Sequence, residues 1–157
     1  MRRVVSTVLA TAALAGLAGA RGFGQSEEGV VQEHRQRPCS EATLRGDYGI
    51  QIQGIRPAGP GVTESVVGVV IRTYDGEGGF TQIANLHGSI SGTVHDLEGS
   101  GTYEVSPNCT GVAFVTAGPV TIEDRLVIVD DGREVRTATM SPAPSMVTGV
   151  QRKIHVR

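Results

Sequence analysis

Three polar residues in this chain could contact a small molecule, because each lies in a segment of otherwise apolar residues. Tyr48 and Tyr103 alternate with apolar neighbours as in a β-strand, and Arg72 interrupts an apolar strand segment. A buried phenol or guanidinium needs a carboxylate, hydroxyl, water or ligand beside it. We therefore predict that Tyr48, Arg72 and Tyr103 lie inside the barrel predicted below or at its mouth, and that they orient the carbonyl or carboxylate of an apolar ligand. The alternative for the two tyrosines is packing in the core alone.

A metal site is the second kind of chemistry to weigh. His87 and His95 flank a glycine turn, and together with Asp96 or Glu98 they could hold zinc or copper if that turn is a hairpin. Exposed strand histidines explain the same pattern without a metal, and His34 and His155 lie far away in the sequence. We predict no metal site and no cofactor.

Motifs for nucleophilic, redox and phosphate chemistry are absent from the sequence. It contains no Gly-x-Ser-x-Gly and no Cys-x-x-Cys, and no lysine follows the glycines at 76–79. The motifs therefore do not decide whether the protein is an enzyme.

The first twenty residues have the organisation of a signal peptide. Arg2 and Arg3 precede an uncharged apolar stretch that ends in small residues, as a signal peptidase requires. The stretch has about 15 apolar residues, fewer than the roughly 20 that span a bilayer. We predict a signal peptide at 1–20, a mature chain that does not insert into a membrane, and a secreted or periplasmic location.

Export has a consequence for the two cysteines, Cys39 and Cys109. An exported chain with an even number of cysteines usually pairs them, because its compartment is oxidising. We predict a Cys39–Cys109 disulfide that ties the start of the first strand to a turn near Pro107.

Length and charge bound the remaining function classes. The chain has 157 residues, a formal net charge of −2 and only 4% aromatic residues. This length is typical of one domain, and the charge is too small and too mixed for a nucleic-acid binder. We predict no nucleic-acid partner, while association into a homo-oligomer stays open.

The pattern along the mature chain is that of an all-β domain. Residues 21–38 are rich in Gln, Glu, Arg and Gly and predict a flexible arm, whereas 39–157 predict a β-domain. Glycine-rich or proline-rich turns are predicted at 54–61, 75–79, 130–132 and 141–144. The predicted strands are 48–53, 66–74 (apolar on both faces, as in a central strand), 80–90, 93–97, 101–105, 112–116, 125–129, 133–140 and 146–155.

Tight connections between consecutive strands favour an antiparallel up-and-down meander. A meander of about eight strands removes its exposed edges by closing into a barrel. A single antiparallel up-and-down β-barrel is therefore the predicted fold, with a β-sandwich as the alternative.

Three segments also support a family resemblance: 44–49 after the first cysteine, 101–111 around the second, and 132–136 with 147–150. They resemble small secreted bacterial proteins related to the allene oxide cyclase and dirigent β-barrel superfamily. The resemblance implies a barrel that binds apolar small molecules, and several members of the superfamily steer a cyclisation inside the barrel. No catalytic residue of the family maps onto this chain.

Three functions follow as hypotheses. The first is a secreted barrel that binds an apolar small molecule. The second is a cofactor-free cyclase or isomerase that acts inside the barrel, and the third is a structural envelope protein without a ligand. A cavity of several hundred Å³ would favour the first two, and polar groups converging at its floor would favour the enzyme.

Overall fold

The computed structural model describes residues 37–154 as a β-barrel. Two single-turn 3₁₀ segments, Glu41–Thr43 and Asp130–Gly132, are its helical elements in this range, and none of the described helices is long and apolar enough to cross a membrane. The strands are β1 (Arg45–Gly59), β2 (Val62–Asp75), β3 (Gly79–Gly88), β4 (Gly92–Val105), β5 (Thr110–Ala117), β6 (Val120–Val129), β7 (Glu134–Ser141) and β8 (Met146–Lys153).

The barrel is closed and antiparallel throughout. Each strand pairs with the next along the chain, and β1 closes the sheet by pairing with β8, with Ile50 opposite Gln151. The prediction of an up-and-down barrel of about eight strands is confirmed, and the sandwich alternative is excluded. Closure gives every strand a neighbour on both sides, so every strand presents one face to the interior and one to the outside.

Strand β2 corrects the prediction of a central strand that is buried on both faces. Its inward residues alternate with Val67, Val69 and Ile71, which point outward and are 55%, 60% and 56% exposed. The strand is apolar on both faces, yet a barrel has only one interior. The outer apolar face therefore requires a separate explanation.

Several strands are longer than their sequence patterns predict, and the largest differences are in β1 and β4. β1 continues to Gly59 through the segment predicted as a loop, and the predicted strands 93–97 and 101–105 are one strand, β4. In β4, Gly99 and Gly101 face side chains that lie close to the backbone, as described below.

The predicted disulfide is confirmed. Cys39 and Cys109 are bonded with a Cα–Cα distance of 5.0 Å, and the Cys39 amide donates to the Pro107 carbonyl at 3.2 Å. The bond fastens the segment before β1 to the β4–β5 turn, as expected. The predicted signal peptide at 1–20 and all of the arm at 21–38 except its last two residues lie outside the described residues, as do 155–157.

Candidate functional site

One end of the barrel interior is filled by aromatic rings. Tyr74 lies at the centre, with its ring centroid 5.3 Å from that of Tyr48, 4.9 Å from that of Tyr103 and 5.6 Å from that of Phe80. Edge-to-face contacts at these distances are favourable for aromatic pairs. These four rings define the aromatic end, which also holds the disulfide within the same buried cluster.

The hydroxyls of Tyr48 and Tyr103 bond to backbone carbonyls at the aromatic end. Tyr48 Oη donates to the Gly132 carbonyl, and Tyr103 Oη lies 3.0 Å from the carbonyls of both Glu41 and Leu44. Burial disfavours the phenolate and raises the pKa of Tyr48 to about 12, and it raises that of Tyr103 as well. Both tyrosines thus close the end of the barrel around the 3₁₀ turns.

The other half of the interior contains a cavity of about 130 Å³. Its walls are mainly aliphatic side chains of β1, β2 and β3, and its polar lining comes from several strands. We call this half the cavity end. Its lining includes Ile50, Ile52, Val66, Val70, Arg72, Gln82, Ala84, Leu86, Ile122, Asp124, Thr137, Thr139 and Gln151.

Arg72 lies where the aromatic end meets the cavity, and it is only 5% exposed. Its Nε and Nη2 donate to Gln82 Oε1 at 3.0 and 2.7 Å, and Nη1 donates to Tyr74 Oη at 3.2 Å. The guanidinium carbon is 4.2 Å from the centroid of the Phe80 ring, a cation–π distance. Among the described residues, no carboxylate lies within 4.0 Å of the guanidinium.

Strand β4 makes room for the two side chains that hold Arg72. A Cβ at Gly101 would overlap the Phe80 ring, and one at Gly99 would lie 3.3 Å from Cγ of Gln82 and 2.9 Å from the Thr116 carbonyl. Glycine at both positions therefore lets Phe80 and Gln82 lie close to the sheet with their ends toward Arg72.

A hydrogen-bond chain continues from Arg72 across the barrel. Tyr74 Oη, which accepts from the guanidinium, donates to Oε1 of the fully buried Gln151 at 2.9 Å. Gln151 is on β8, so the chain of hydrogen bonds links β3, β2 and β8 through the barrel interior beside the cavity. All of its members are neutral apart from Arg72 itself.

The same cavity holds one carboxylate, that of Asp124 on β6. Its Oδ1 accepts from Thr139 Oγ1 at 2.7 Å, which orients the carboxylate along the wall formed by β6 and β7. Asp124 is half-buried. The cavity is thus lined by one carboxylate and by two arginines, Arg56 and Arg72. Arg56 pairs with Glu64 at 2.8 Å, whereas Arg72 and Asp124 are not paired with each other.

Near the mouth of the cavity, a buried carboxylate holds two loops together. Glu64 accepts from Arg56 Nε at 2.8 Å, from the Ser91 hydroxyl at 2.8 Å, and from the amides of Ile90 and Ser91 at 3.0 and 2.8 Å. These donors favour the charged form and lower its pKa to about 2, with the Ser91 amide contributing most. Glu64 is therefore an anion with a full set of partners, in contrast to the guanidinium of Arg72.

The structure brings Tyr48, Arg72 and Tyr103 into the barrel interior, but only Arg72 lines the cavity. A role of the three residues in ligand binding stays a prediction. Sequence reasoning missed Gln151 and Asp124. Gln151 could have been found from its alternation with Val147 and Gly149. Asp124 could have been found from its alternation with Leu126 and Ile128, but the predicted strand began at 125 and left it out.

The two histidines weighed as metal ligands have other neighbours. His87 Nδ1 is 2.9 Å from Thr93 Oγ1, and His95 Nδ1 is 3.3 Å from Asn85 Oδ1, both on the exposed outside of the barrel. Within residues 37–154, no cluster of three or more His, Cys, Asp or Glu residues could hold a metal ion.

Comparisons of the chain with protein-family models, with curated proteins and with solved structures find no match. The resemblance to the allene oxide cyclase and dirigent barrels stays a prediction drawn from the three sequence segments. The function must therefore be argued from the cavity.

Proposed function

We propose that the barrel binds a small, mainly apolar molecule that carries one anionic group, and that Arg72 holds this group. The observation that carries the proposal is a nearly buried guanidinium that faces a cavity and whose hydrogen-bond partners within residues 37–154 are all neutral. Withdrawing a charge from water without a counter-charge costs several kcal/mol. A ligand carboxylate would supply the missing counter-charge.

The donor count supports this role. A guanidinium has five N–H groups, and three of them donate to Gln82 and Tyr74. Two N–H groups remain for a ligand, one on Nη1 and one on Nη2. Carboxylates accept from such a pair in a bidentate arrangement that is stronger than a neutral hydrogen bond.

Cavity size limits the ligand to a small ring or a short chain. The volume of about 130 Å³ is below the several hundred Å³ of typical ligand pockets, but it is close to the roughly 150 Å³ that accommodates a benzene ring in an apolar protein cavity. Benzoate and hexanoate are therefore suitable probes. Benzyl alcohol is the neutral probe of matched size.

The test compares these probes by NMR titration of wild type and the Arg72→Met variant. Methionine keeps an apolar side chain at this site, and replacing a buried charge by an apolar group is often tolerated. We expect saturable benzoate shifts in wild type and roughly 10- to 150-fold weaker binding in Arg72→Met, with benzyl alcohol much less affected.

The matched control is Arg125→Met, because Arg125 is exposed, does not line the cavity, and pairs with Glu123 at 2.9 Å. It should bind benzoate as wild type does. Equal benzoate affinity in wild type and Arg72→Met, or no binding of either acid to wild type, would contradict the proposal. Failure of all three probes would favour a structural protein without a ligand.

An isomerase is the second candidate, favoured by the presence of Asp124 in the same cavity as Arg72. The carboxylate would take a proton from the carbon beside a ketone, the C–H electron pair would form the enolate, and Arg72 would stabilise the enolate oxygen. Cyclohexanone in D₂O tests this step, because protein-dependent deuterium exchange at that carbon is visible by NMR. Asp124→Asn should abolish the exchange. Exchange at the buffer rate with wild type would exclude the step.

We also propose that the protein is exported, on the basis of its disulfide and of the leader pattern at 1–20. The intact mass of protein recovered from the periplasm or medium tests this. A chain that begins near Arg21 and resists alkylation before reduction supports export, and retention of residues 1–20 in a membrane fraction contradicts it.

A further inference from the structure

The outside of the barrel carries one extended apolar ridge. Val67, Val69 and Ile71 of β2 are each more than half exposed, and Ile83 of β3 lies opposite Ile71 in the sheet and is 48% exposed. Large apolar side chains grouped in this way are typical of association surfaces, whereas single ones are common on any protein. We call these four residues the ridge.

A groove runs beside the ridge along β1. Gly49 lies opposite Ile71 and has no side chain, so the sheet surface is low at this point. Ile154 forms one wall of the groove, because its Cδ1 would be 3.5 Å from a Cβ at Gly49. The groove is therefore apolar at Gly49 and Ile154, beside Ile71, whereas farther along β1 its floor carries the exposed Gln51 opposite Val69.

The two rims of this face carry opposite charge. Arg136 and Arg152 line one side, and they share a single carboxylate, Glu134, whose oxygens lie 2.6 and 3.0 Å from their respective nitrogens. Two cations with one anion leave this rim positive. Asp96 lines the opposite side beyond Ile83 and is exposed, so that rim is negative.

We propose that this face binds a second copy of the chain in a two-fold symmetric dimer. Two-fold symmetry presents the same patch from both copies, turned by 180°. An axis between β1 and β2 places Ile71 of each copy over the Gly49 groove of the other. The same rotation brings the positive rim of each copy to the negative rim of its partner, so the face complements itself in both shape and charge. The proposal is independent of ligand binding in the cavity.

The first test is analytical ultracentrifugation of the mature chain over a range of concentration. We expect a reversible monomer–dimer equilibrium that shifts toward monomer in Ile71→Lys, because two lysines would meet near the axis. The matched control, Phe114→Lys on β5, replaces an exposed apolar residue on the far side of the barrel and should dimerise as wild type does. A monomer at every concentration, or equal effects of the two variants, would overturn the proposal.

The second test uses charge reversal and identifies the rims. Arg152→Glu makes both rims negative and Asp96→Lys makes both positive, so each variant alone should dimerise at least about tenfold more weakly. Mixed in equal amounts, they should form a heterodimer, because each rim then meets its opposite. Native mass spectrometry separates the species. Absence of the heterodimer would overturn the assignment, and its formation also shows that both variants fold.

Discussion

At the aromatic end, the barrel is filled by rings whose hydroxyls bond to the backbone or to neighbouring side chains, whereas at the cavity end smaller side chains leave about 130 Å³ unfilled. An eight-stranded barrel is just wide enough to be filled or to hold one small ligand, and this chain does both in separate halves. Arg72 lies at the boundary. The comparison indicates that the aromatic end stabilises the fold and that the cavity end provides the space for a ligand. Substitutions at each end can test this separately.

The largest expected effect comes from removing the disulfide at the aromatic end. The bond closes a loop between residues separated by 70 positions, so Cys39→Ala with Cys109→Ala should lower the free energy of unfolding by about 4 kcal/mol in the chain-entropy account. Urea unfolding measures this. Benzoate affinity of the folded double variant should stay within about twofold of wild type. A loss of binding in folded protein would show that the two ends are coupled.

The same substitution placed at each end gives a sharper comparison. Ala113 is fully buried in the aromatic cluster, and Ala84 lines the cavity. Ala113→Leu should cost about 1 to 3 kcal/mol through overpacking, while Ala84→Leu should leave stability nearly unchanged because its added carbons enter the cavity. Thermal unfolding measures the first effect, and loss of benzoate binding in Ala84→Leu measures the second. Equal destabilisation by Ala113→Leu and Ala84→Leu would show that the cavity end has no room for the added carbons.

Alkaline pH should weaken the aromatic end specifically. The folded pKa of Tyr48 is about 12, above its ordinary value of 10.0. The stability that the Tyr48 hydroxyl contributes is therefore fully present below pH 10 and is lost as the pH rises from 10 toward 12. Tyr48→Phe should cost about 1 to 2 kcal/mol at neutral pH, since the Gly132 carbonyl loses its donor. Its unfolding midpoint should then fall less steeply between pH 10 and 12. If the unfolding midpoints of wild type and Tyr48→Phe fall equally between pH 10 and 12, the loss of stability does not come from Tyr48.

Much of the fold follows from patterns that a strand imposes locally. The alternation at 48–53 and the turn at 130–132 predict β1 and the β6–β7 connection correctly, because side-chain period and turn chemistry are local properties. The break predicted between 97 and 101 was wrong for a non-local reason. Gly99 and Gly101 lie under Gln82 and Phe80, and only the fold brings those residues together.

The candidate site, like the fold, could be predicted from the sequence only where the signal is local. Arg72 could be singled out because an arginine within an apolar strand is unusual, and Tyr74 lies two residues along the same strand face. Its partner Gln82, and Gln151 beyond Tyr74, could not be predicted because they come from other strands. The apolar outer face of β2 was interpreted as a sign of burial on both sides. A single sequence cannot distinguish a face buried in its own fold from one that binds a second copy.

The smallest effect is expected at the mouth of the cavity under acid. Glu64 has a folded pKa of about 2 against an ordinary value of 4.5, so the stability that it contributes is present above pH 4.5 and is lost as pH falls toward 2. Arg56 and the Ser91 hydroxyl and amide then lose a charged acceptor, which loosens the contact between the β1–β2 and β3–β4 loops.

Glu64→Gln removes this titration. Wild type should therefore unfold at a higher temperature than the variant at neutral pH, and the two midpoints should converge near pH 2. The protein has other carboxyls as well, so only the difference between the two proteins reports on Glu64. The matched control is Glu104→Gln, because Glu104 is exposed on the outside of β4, and it should follow wild type throughout. A difference between wild type and Glu64→Gln that stays constant from pH 6 to 2 would show that the mouth of the cavity does not depend on this charge.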